Sequence, residues 1–157
     1  MYTFGIETDS KFPTVWGFMK NISNLPLWDA GTESALSVGH GVWMVKMRPL
    51  SEGAPPIVML GTPVFSETRG TGRVNTVWTY DDGAFAAEDG WCVFEDVERN
   101  VCRITYELTR YRLRGWRGSF QWVLACCFVQ PALQEYARKD VMLLRRLFSQ
   151  QGVMKLE

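Results

Sequence analysis

The sequence predicts an α+β fold in which an antiparallel β-sheet is followed by one long C-terminal helix. Residues 34–127 consist of β-prone segments separated by short turn-forming stretches, which is the pattern of successive strands. In the last segment the apolar residues recur at intervals of three and four, which indicates an amphipathic helix. One strand and two short helical elements are predicted before the sheet.

The composition is that of a folded globular protein with many aromatic residues. The chain has 157 residues, of which 46% are hydrophobic and 22% charged, and we expect one domain over residues 1–157. Seven Trp, nine Phe and five Tyr supply wide apolar surfaces. Such surfaces either fill a core or line a pocket for a ring-bearing ligand, and both uses stay open.

The first elements are a strand and a short helix. Tyr2–Thr8 has the composition of a strand. Asp9 or Ser10 is predicted to cap a helix with Pro13 in its first turn, where proline is tolerated. The buried stripe of this helix is predicted to contain Val15, Trp16 and Met19.

Turn signals divide the middle of the chain. A short helical or turn element at residues 22–28 is interrupted by Pro26. The stretches SEGAPP, RGTG, YDDG, ERN and RGWRG then each predict a turn, and the segments between them predict six strands. With the first strand, the sheet is expected to have about seven strands.

The last segment predicts a long helix. Charged residues such as Arg138 and Arg145 fall on the face opposite an apolar stripe. Pro131 lies in the first turn, and Gly152 is expected to end the helix. The stripe consists of Leu133, Tyr136, Ala137, Val141, Leu144, Leu147 and Phe148.

Three stretches carry a resemblance to a known family. FPTVWGFMKNISNLPLWDAG resembles the opening helix pair, NVCRITYELTRYRLRG the penultimate strand and FVQPALQEYARKDVMLLRRLF the closing helix of the helix-grip superfamily. This superfamily includes START domains, the birch-pollen-allergen fold and the polyketide cyclases. The resemblance implies a curved sheet around the long helix, with an internal cavity for a small hydrophobic molecule. Members of the family are carriers or enzymes, so the resemblance leaves both open.

The hairpin at ERN indicates which of its residues face the interior. A two-residue turn at Arg99 and Asn100 pairs Glu95 with Ile104. One face of this hairpin is then apolar except for Glu95, which is therefore predicted to point inward. An inward carboxylate suits a general acid or base, so Glu95 is a candidate catalytic residue.

The same argument applies to the RGTG turn. A two-residue turn places Glu67 and Arg69 on the face of Trp78 and Tyr80, although a three-residue loop would reverse this. An inward acid and guanidinium either form a buried ion network with Glu95 or hold a substrate carboxylate or enolate. Both alternatives stay open.

Aromatic residues are the candidates for lining the cavity, and each is alternatively plain core. Tyr106 is also a candidate for stabilising a developing oxyanion, together with Arg69 and Tyr80. His40 is the only histidine, which excludes a multi-histidine metal site, and we expect it to be a surface or satisfied residue. The ligand-binding candidates are Trp28, Trp78, Tyr80, Trp91 and Trp122.

Charge and cysteine content exclude several classes of function. Seventeen basic residues balance seventeen acidic ones, which disfavours a nucleic-acid partner. No segment has the length of a membrane span and no leader is evident, so a cytoplasmic location is expected. The cysteines lack the spacing of a zinc site and are expected to be reduced core residues. They are Cys92, Cys102, Cys126 and Cys127.

A local basic edge has two interpretations. It either docks an acidic partner such as an acyl carrier protein or is a solvated strand face, the commoner case. The edge consists of Arg110, Arg112, Arg114 and Arg117.

The leading functional hypothesis is a cofactor-independent polyketide-type cyclase or related tailoring enzyme, acting as a monomer or homodimer. Aromatic walls would fold a reactive chain, and Glu95 or Glu67 would move a proton next to a carbonyl. The alternatives are a non-catalytic carrier of a hydrophobic ligand and an interaction module whose cavity is filled by side chains.

Overall fold

A computed structural model describes residues 2–49, 56–112 and 130–153, with side chains from residue 3 to residue 148 of these ranges. The elements follow in the order β1 (Tyr2–Thr8), α1 (Phe12–Met19), a 3₁₀ turn (Ile22–Asn24), α2 (Leu25–Trp28), β2 (Thr32–Gly39), β3 (Val42–Met47), β4 (Ile57–Gly61), β5 (Val64–Thr68), β6 (Thr71–Tyr80), β7 (Phe85–Asp96), β8 (Val101–Tyr111) and α3 (Gln130–Val153).

The eight described strands form one curved antiparallel sheet. Seven of them follow the order β1-β8-β7-β6-β4-β3-β2, and β5 pairs with the free end of β6. The predicted α+β class and the closing helix are confirmed. The estimate of six strands in the middle of the chain is wrong, because β2 to β8 are seven strands. Two turns that the sequence analysis missed, at Gly39–Gly41 and Gly61–Val64, divide predicted strands into two.

The helices cover one face of this sheet. Helix α1 packs on β7, and α3 packs on β1 and α2. Val15, Trp16 and Met19 are buried as predicted. Leu144 and Phe148 of α3 belong to the same core. The core therefore lies between the sheet and the helices, and the residues of the inner face either join it or border a cavity.

The predicted start of α1 and the predicted end of α3 both require correction. The residue that caps α1 is Lys11, not Asp9 or Ser10, and its side chain makes no capping hydrogen bond. Pro13 in the first turn lacks an amide hydrogen, which reduces the number of donors that need a cap. Gly152 lies within α3, which is described as far as Val153, so this glycine does not end the helix.

The β7–β8 hairpin has a longer turn than predicted. Asp96 pairs with Val101, so four residues form the turn, and Glu95 pairs with Cys102 instead of Ile104. Asn100 adopts a positive φ of 53°, which Asn tolerates better than most residues. A shift of two residues preserves the face of every side chain. The inner face of this hairpin was therefore identified correctly although its register was not.

The β5–β6 hairpin has the predicted two-residue turn, at Arg69 and Gly70. Glu67 pairs with Gly72 and shares the inner face of the sheet. All five residues of β5 are nevertheless exposed, although Glu67 accepts a hydrogen bond from the Trp16 indole of α1. Glu67 therefore faces inward as predicted, but the alternative of a buried ion network is wrong because Glu67 and Arg69 are both exposed.

No helix within residues 2–49, 56–112 and 130–153 is long and apolar enough to cross a membrane.

Candidate functional site

An internal cavity of about 170 Å³ lies between the inner face of the sheet, the α2–β2 corner and helix α3. Its walls are mainly apolar and aromatic. The aromatic residues of the wall are Trp78, Tyr80, Tyr106, Tyr111 and Tyr136, and the aliphatic ones include Leu25, Val45, Met47, Ile57, Met59, Leu108 and Leu133. A volume of this order suits a ligand of one or two rings, because a cavity of roughly 150 Å³ holds benzene.

A carboxyl group, that of Asp89 on β7, lies in this apolar wall between the two neighbouring strands. The indole nitrogen Nε1 of Trp78 on β6 donates to Oδ1 of Asp89 at 2.9 Å. The hydroxyl of Tyr106 on β8 donates to Oδ2 at 3.0 Å. Both oxygens are therefore held by uncharged donors, which fixes the orientation of the carboxyl without supplying a positive charge.

Two further carboxyl groups line the cavity from the opposite side. Asp29 follows α2 and accepts hydrogen bonds from the Gly31 amide at 2.8 Å and the Thr32 hydroxyl at 2.6 Å. Asp140 on α3 accepts a hydrogen bond from the Ala30 amide at 2.7 Å. The Asp140 side chain thereby joins α3 to the corner that Asp29 occupies.

Burial shifts the acidity of all three carboxyl groups in the same direction. Desolvation raises the pKa of Asp89 to about 7, although its hydrogen bonds from Trp78 and Tyr106 oppose the rise and the nearby Asp29 adds to it. Desolvation, with the Asp29 charge, raises the pKa of Asp140 to about 8. Desolvation likewise raises the pKa of Asp29, against its hydrogen bonds and the Arg48 charge. The cavity therefore holds carboxyl groups that exchange protons near neutral pH.

Tyr106 stays a hydrogen-bond donor throughout this pH range. Burial and the charge of Asp89 raise the pKa of its hydroxyl well above the usual value near 10. Asp89 and Tyr106 thus form an acid–base pair in which the carboxyl gains and loses a proton while the phenol keeps its own.

A glycine and a β-bulge arrange the walls around Asp89. Gly61 on β4 pairs with Trp78, and a Cβ at this position would lie 2.5 Å from the indole ring, so only glycine leaves room for it. In β8 the pairing shifts because Thr109 is an extra residue between Leu108 and Arg110. The bulge reverses the faces beyond it, which turns Tyr111 into the cavity and leaves Arg110 outside.

The structure brings three of the predicted aromatic residues to the cavity. Trp78, Tyr80 and Tyr106 line it, and Tyr106 also contacts the carboxyl of Asp89. Trp28 and Trp91 are buried in the core and are not among the lining residues. Their rings pack edge to face at 5.4 Å, and the indole nitrogen of Trp91 donates to the Met19 carbonyl. Trp122 lies outside the described residues.

The predicted catalytic carboxylates lie away from the cavity. Glu67 is exposed, and its Oε2 accepts a hydrogen bond from the Trp16 indole nitrogen at 2.6 Å. Glu95 is half-buried near the Arg69–Gly70 turn, at the far end of β7 from Asp89. Arg69 is exposed in that turn. None of the three lines the cavity.

Other candidate groups have ordinary structural positions. His40 is exposed at the β2–β3 turn, between two glycines of positive φ, as expected for a surface histidine. Cys102 is buried, Cys92 is half-buried and both are free thiols. Cys126 and Cys127 lie outside the described residues. Within the described ranges, no group of three His, Cys, Asp or Glu residues is placed to hold a metal ion.

The predicted basic edge is only partly described. Arg110 is exposed, binds Glu88 at 2.5 Å and lies 5.4 Å from the Phe85 ring centre. Arg112 is exposed at the mouth of the cavity. Arg114 and Arg117 lie outside the described residues.

Sequence reasoning missed Asp29, Asp89 and Asp140, yet two of them left a signal. Asp89 precedes Trp91 by two residues and therefore shares its inward face, which the alternation of a strand predicts. Asp140 interrupts the stripe of α3 three residues after Ala137 and four before Leu144, where an apolar residue is expected. A polar residue at an apolar position is the informative exception. Asp29 left no such signal.

Comparisons with known proteins show the fold. No protein-family model matches the sequence, and no curated protein matches it. A START superfamily protein from Mycobacterium smegmatis is 8% identical over 96% of this chain and 97% of its own, with a TM-score of 0.62. The Zhui aromatase/cyclase from Streptomyces sp. R1128 is 10% identical over 96% of this chain and 94% of its own, with a TM-score of 0.64.

A domain of a human protein is also similar in structure. The lipid transfer and protein localization domain of human StarD13 (DLC2) is 12% identical over 93% of this chain and 75% of its own, with a TM-score of 0.57. At these identities the likeness shows the fold alone. The chain has the START/Bet v 1-like helix-grip fold, which confirms the resemblance found in the sequence.

Proposed function

We propose that the protein is a cofactor-independent enzyme of the cyclase or related tailoring type, which binds a small hydrophobic carbonyl compound in the cavity. The observation that carries this proposal is the Asp89 carboxyl, which is held between Trp78 and Tyr106 in an apolar wall. A general acid or base is most effective when its pKa lies near the working pH, and burial raises the pKa of Asp89 to about 7. Asp89 and Tyr106 therefore replace Glu95 and Glu67 as the proposed acid–base residues.

The proposed step is removal of a proton next to a carbonyl group. The ionised Asp89 accepts the proton from the substrate carbon, and the electron pair moves to the carbonyl oxygen. Protonated Asp89 no longer needs the hydrogen bond from Tyr106, so the phenol is free to donate to the developing enolate oxygen. Attack of the enolate carbon on a second carbonyl of the same molecule would close a ring, and the resulting alkoxide would take the proton back from Asp89.

The size of the cavity limits what enters it. About 170 Å³ is below the 300–1,000 Å³ of typical sites for drug-sized ligands. We propose that the reacting ring of the substrate occupies the cavity, while any longer chain extends through the mouth beside Arg48 and Arg112. An acyl carrier protein that docked at the basic edge would present a tethered substrate at this mouth, because Arg112 belongs to both.

Deuterium exchange tests the proposed step without the natural substrate. The ketone 1-indanone has two rings and exchangeable protons next to its carbonyl, and proton NMR follows their replacement in D₂O. We expect the protein to accelerate exchange above the buffer rate, Asp89→Asn to abolish the acceleration and Tyr106→Phe to reduce it about tenfold to a hundredfold. Glu107→Gln is the matched control, since this carboxylate is exposed on the same strand as Tyr106.

The second candidate is a carrier that binds the ligand and leaves it unchanged. The observation in its favour is that both oxygens of Asp89 already have hydrogen-bond partners, which is also what a purely structural carboxyl needs. If indanone and similar ketones bind in the cavity and exchange no faster than in buffer, the acid–base proposal is wrong and the carrier is the better account.

A further inference from the structure

The three cavity carboxyl groups differ in how completely their oxygens are paired. Both oxygens of Asp89 and both of Asp29 accept hydrogen bonds. Asp140 is 6% exposed, and only its Oδ1 accepts a hydrogen bond, from the Ala30 amide. Within the described parts of the chain, Oδ2 of Asp140 has no donor, although the residue borders the cavity. A carboxyl oxygen that borders a cavity and has no hydrogen-bond donor suits a ligand group that donates to it.

The charges around the cavity are unequally distributed. Every hydrogen-bond donor to the three carboxyl groups is neutral: an indole, two hydroxyls and backbone amides. Arg48 and Arg112 are the cationic residues of the described lining, and both are exposed at the mouth. Water screens charges there far more than in the interior. Among the described lining residues, the inner part of the cavity therefore has an excess of negative charge whenever its carboxyl groups ionise.

The aromatic walls also favour a positively charged ligand. Trp78, Tyr80 and Tyr106 present ring surfaces to the cavity, and the faces of aromatic rings attract cations. A neutral ligand would leave the repulsion between the carboxylates in place, whereas a cation would offset it. The volume of about 170 Å³ limits the apolar body of this ligand to one or two rings.

We infer that the ligand of this cavity is an organic cation, namely a protonated amine attached to the same small ring system that the proposed function places there, with its ammonium group against Oδ2 of Asp140. This inference rests on one part of the proposed function, namely that the cavity is a ligand site. It holds for an enzyme and for a carrier alike.

The test compares two probes of equal size. Benzylammonium and benzyl alcohol share their ring and both donate hydrogen bonds, so they differ mainly in charge. Titrations followed by NMR at a pH of about 8, where Asp89 is mostly ionised and Asp140 about half ionised, should show benzylammonium binding at least tenfold more tightly than benzyl alcohol. Equal affinities, or no binding of benzylammonium at millimolar concentration, would overturn the inference.

Variants then locate the ammonium group. Asp140→Asn keeps an acceptor for the Ala30 amide and removes the charge, so we expect about tenfold weaker binding of benzylammonium and little change for benzyl alcohol. Glu107→Gln removes an exposed charge and should change neither affinity. Unchanged benzylammonium affinity in Asp140→Asn would contradict the assignment.

Proton release provides a measurement that needs no variant. A cation that binds to partly protonated carboxyl groups expels protons, and calorimetry in two buffers of different ionisation enthalpy counts them. We expect net release with benzylammonium, and its absence would count against the inference.

The proposed enzyme and the organic cation can fail separately. If indanone exchange is absent but benzylammonium still binds more tightly than benzyl alcohol, only the proposed enzyme is overturned. If exchange occurs and the two probes bind equally, only the organic cation is overturned.

Discussion

The Tyr106 hydroxyl lies 3.0 Å from Oδ2 of Asp89 and joins two neighbouring strands across the wall of the cavity. Trp78 holds the other carboxyl oxygen from the strand on the opposite side. Asp89 is thus fixed from both neighbours at once, so its carboxyl has one orientation in an environment that disfavours its charge.

The rate of ketone exchange should rise with pH and then level off. The reacting form of Asp89 is the carboxylate, and burial raises the pKa of this group to about 7. The protein-dependent rate should therefore increase as the pH passes through about 7 and become constant above about 8. Proton NMR of indanone in D₂O over this range measures it. A rate that is already constant at about pH 5 would show that a group of ordinary acidity does the chemistry.

The free energy of unfolding should fall as the pH rises from about 4 to about 8. The pKa of Asp89 is raised to about 7 and that of Asp140 to about 8, so the folded protein keeps protons that the unfolded chain has released. Their stabilising contribution is complete below the unfolded pKa near 4 and is lost as the pH passes the folded values. Urea denaturation at several pH values measures this dependence.

The variant Asp89→Asn should weaken that pH dependence. Asn can accept from Trp78 and donate to Tyr106, so the contacts persist without a charge to desolvate. We expect its free energy of unfolding at pH 8 to exceed that of the parent protein by about 1–3 kcal/mol. An Asn variant that is less stable than the parent at that pH would mean that the carboxylate is stabilising there.

Gly61→Ala should displace the Trp78 ring. A Cβ at residue 61 would lie 2.5 Å from that ring, so the indole must move and its hydrogen bond to Asp89 must weaken. We expect a loss of about 1–3 kcal/mol in the free energy of unfolding, with slower indanone exchange. Gly17→Ala, in helix α1 with open space around it, is the control and should be neutral or slightly stabilising. Equal effects of both substitutions would contradict this role for Gly61.

Trp91→Phe should reduce stability and leave ligand binding unchanged. The Trp91 indole nitrogen donates to the Met19 carbonyl at 2.9 Å in the core, and Phe would leave that carbonyl without its partner. We expect a cost of about 1–3 kcal/mol in the free energy of unfolding, measured by denaturation, with the same benzylammonium affinity. If binding is lost while the stability is unchanged, Trp91 is a ligand residue after all.

Periodicity predicted a large part of this fold. Alternation along β6, β7 and β8 correctly assigned Trp78, Tyr80 and Tyr106 to the inner face, because a two-residue error in a turn preserves the face of each residue. The same alternation also assigned Glu67 to that face. It could not show that β5 is exposed along its whole length, since burial depends on what packs above a strand and not on its own pattern.

The site itself depends on contacts between distant residues. The Ala30 amide and Asp140 are 110 residues apart, and no local pattern indicates that they meet. The bulge at Thr109 has no turn signal in the sequence, yet it decides that Tyr111 and not Arg110 faces the cavity. Asp89, two residues before Trp91, lies on the face that simple alternation predicts to be inward.

The most direct test of the buried acid–base pair is a carbon-13 NMR titration of protein labelled at the aspartate carboxyl groups. The parent protein should show an aspartate signal with a midpoint near pH 7, and this signal should be absent in Asp89→Asn and present in Glu107→Gln. If every aspartate in the parent protein titrates below about pH 5, the cavity holds no carboxyl group poised near neutral pH, and the proposed chemistry is wrong.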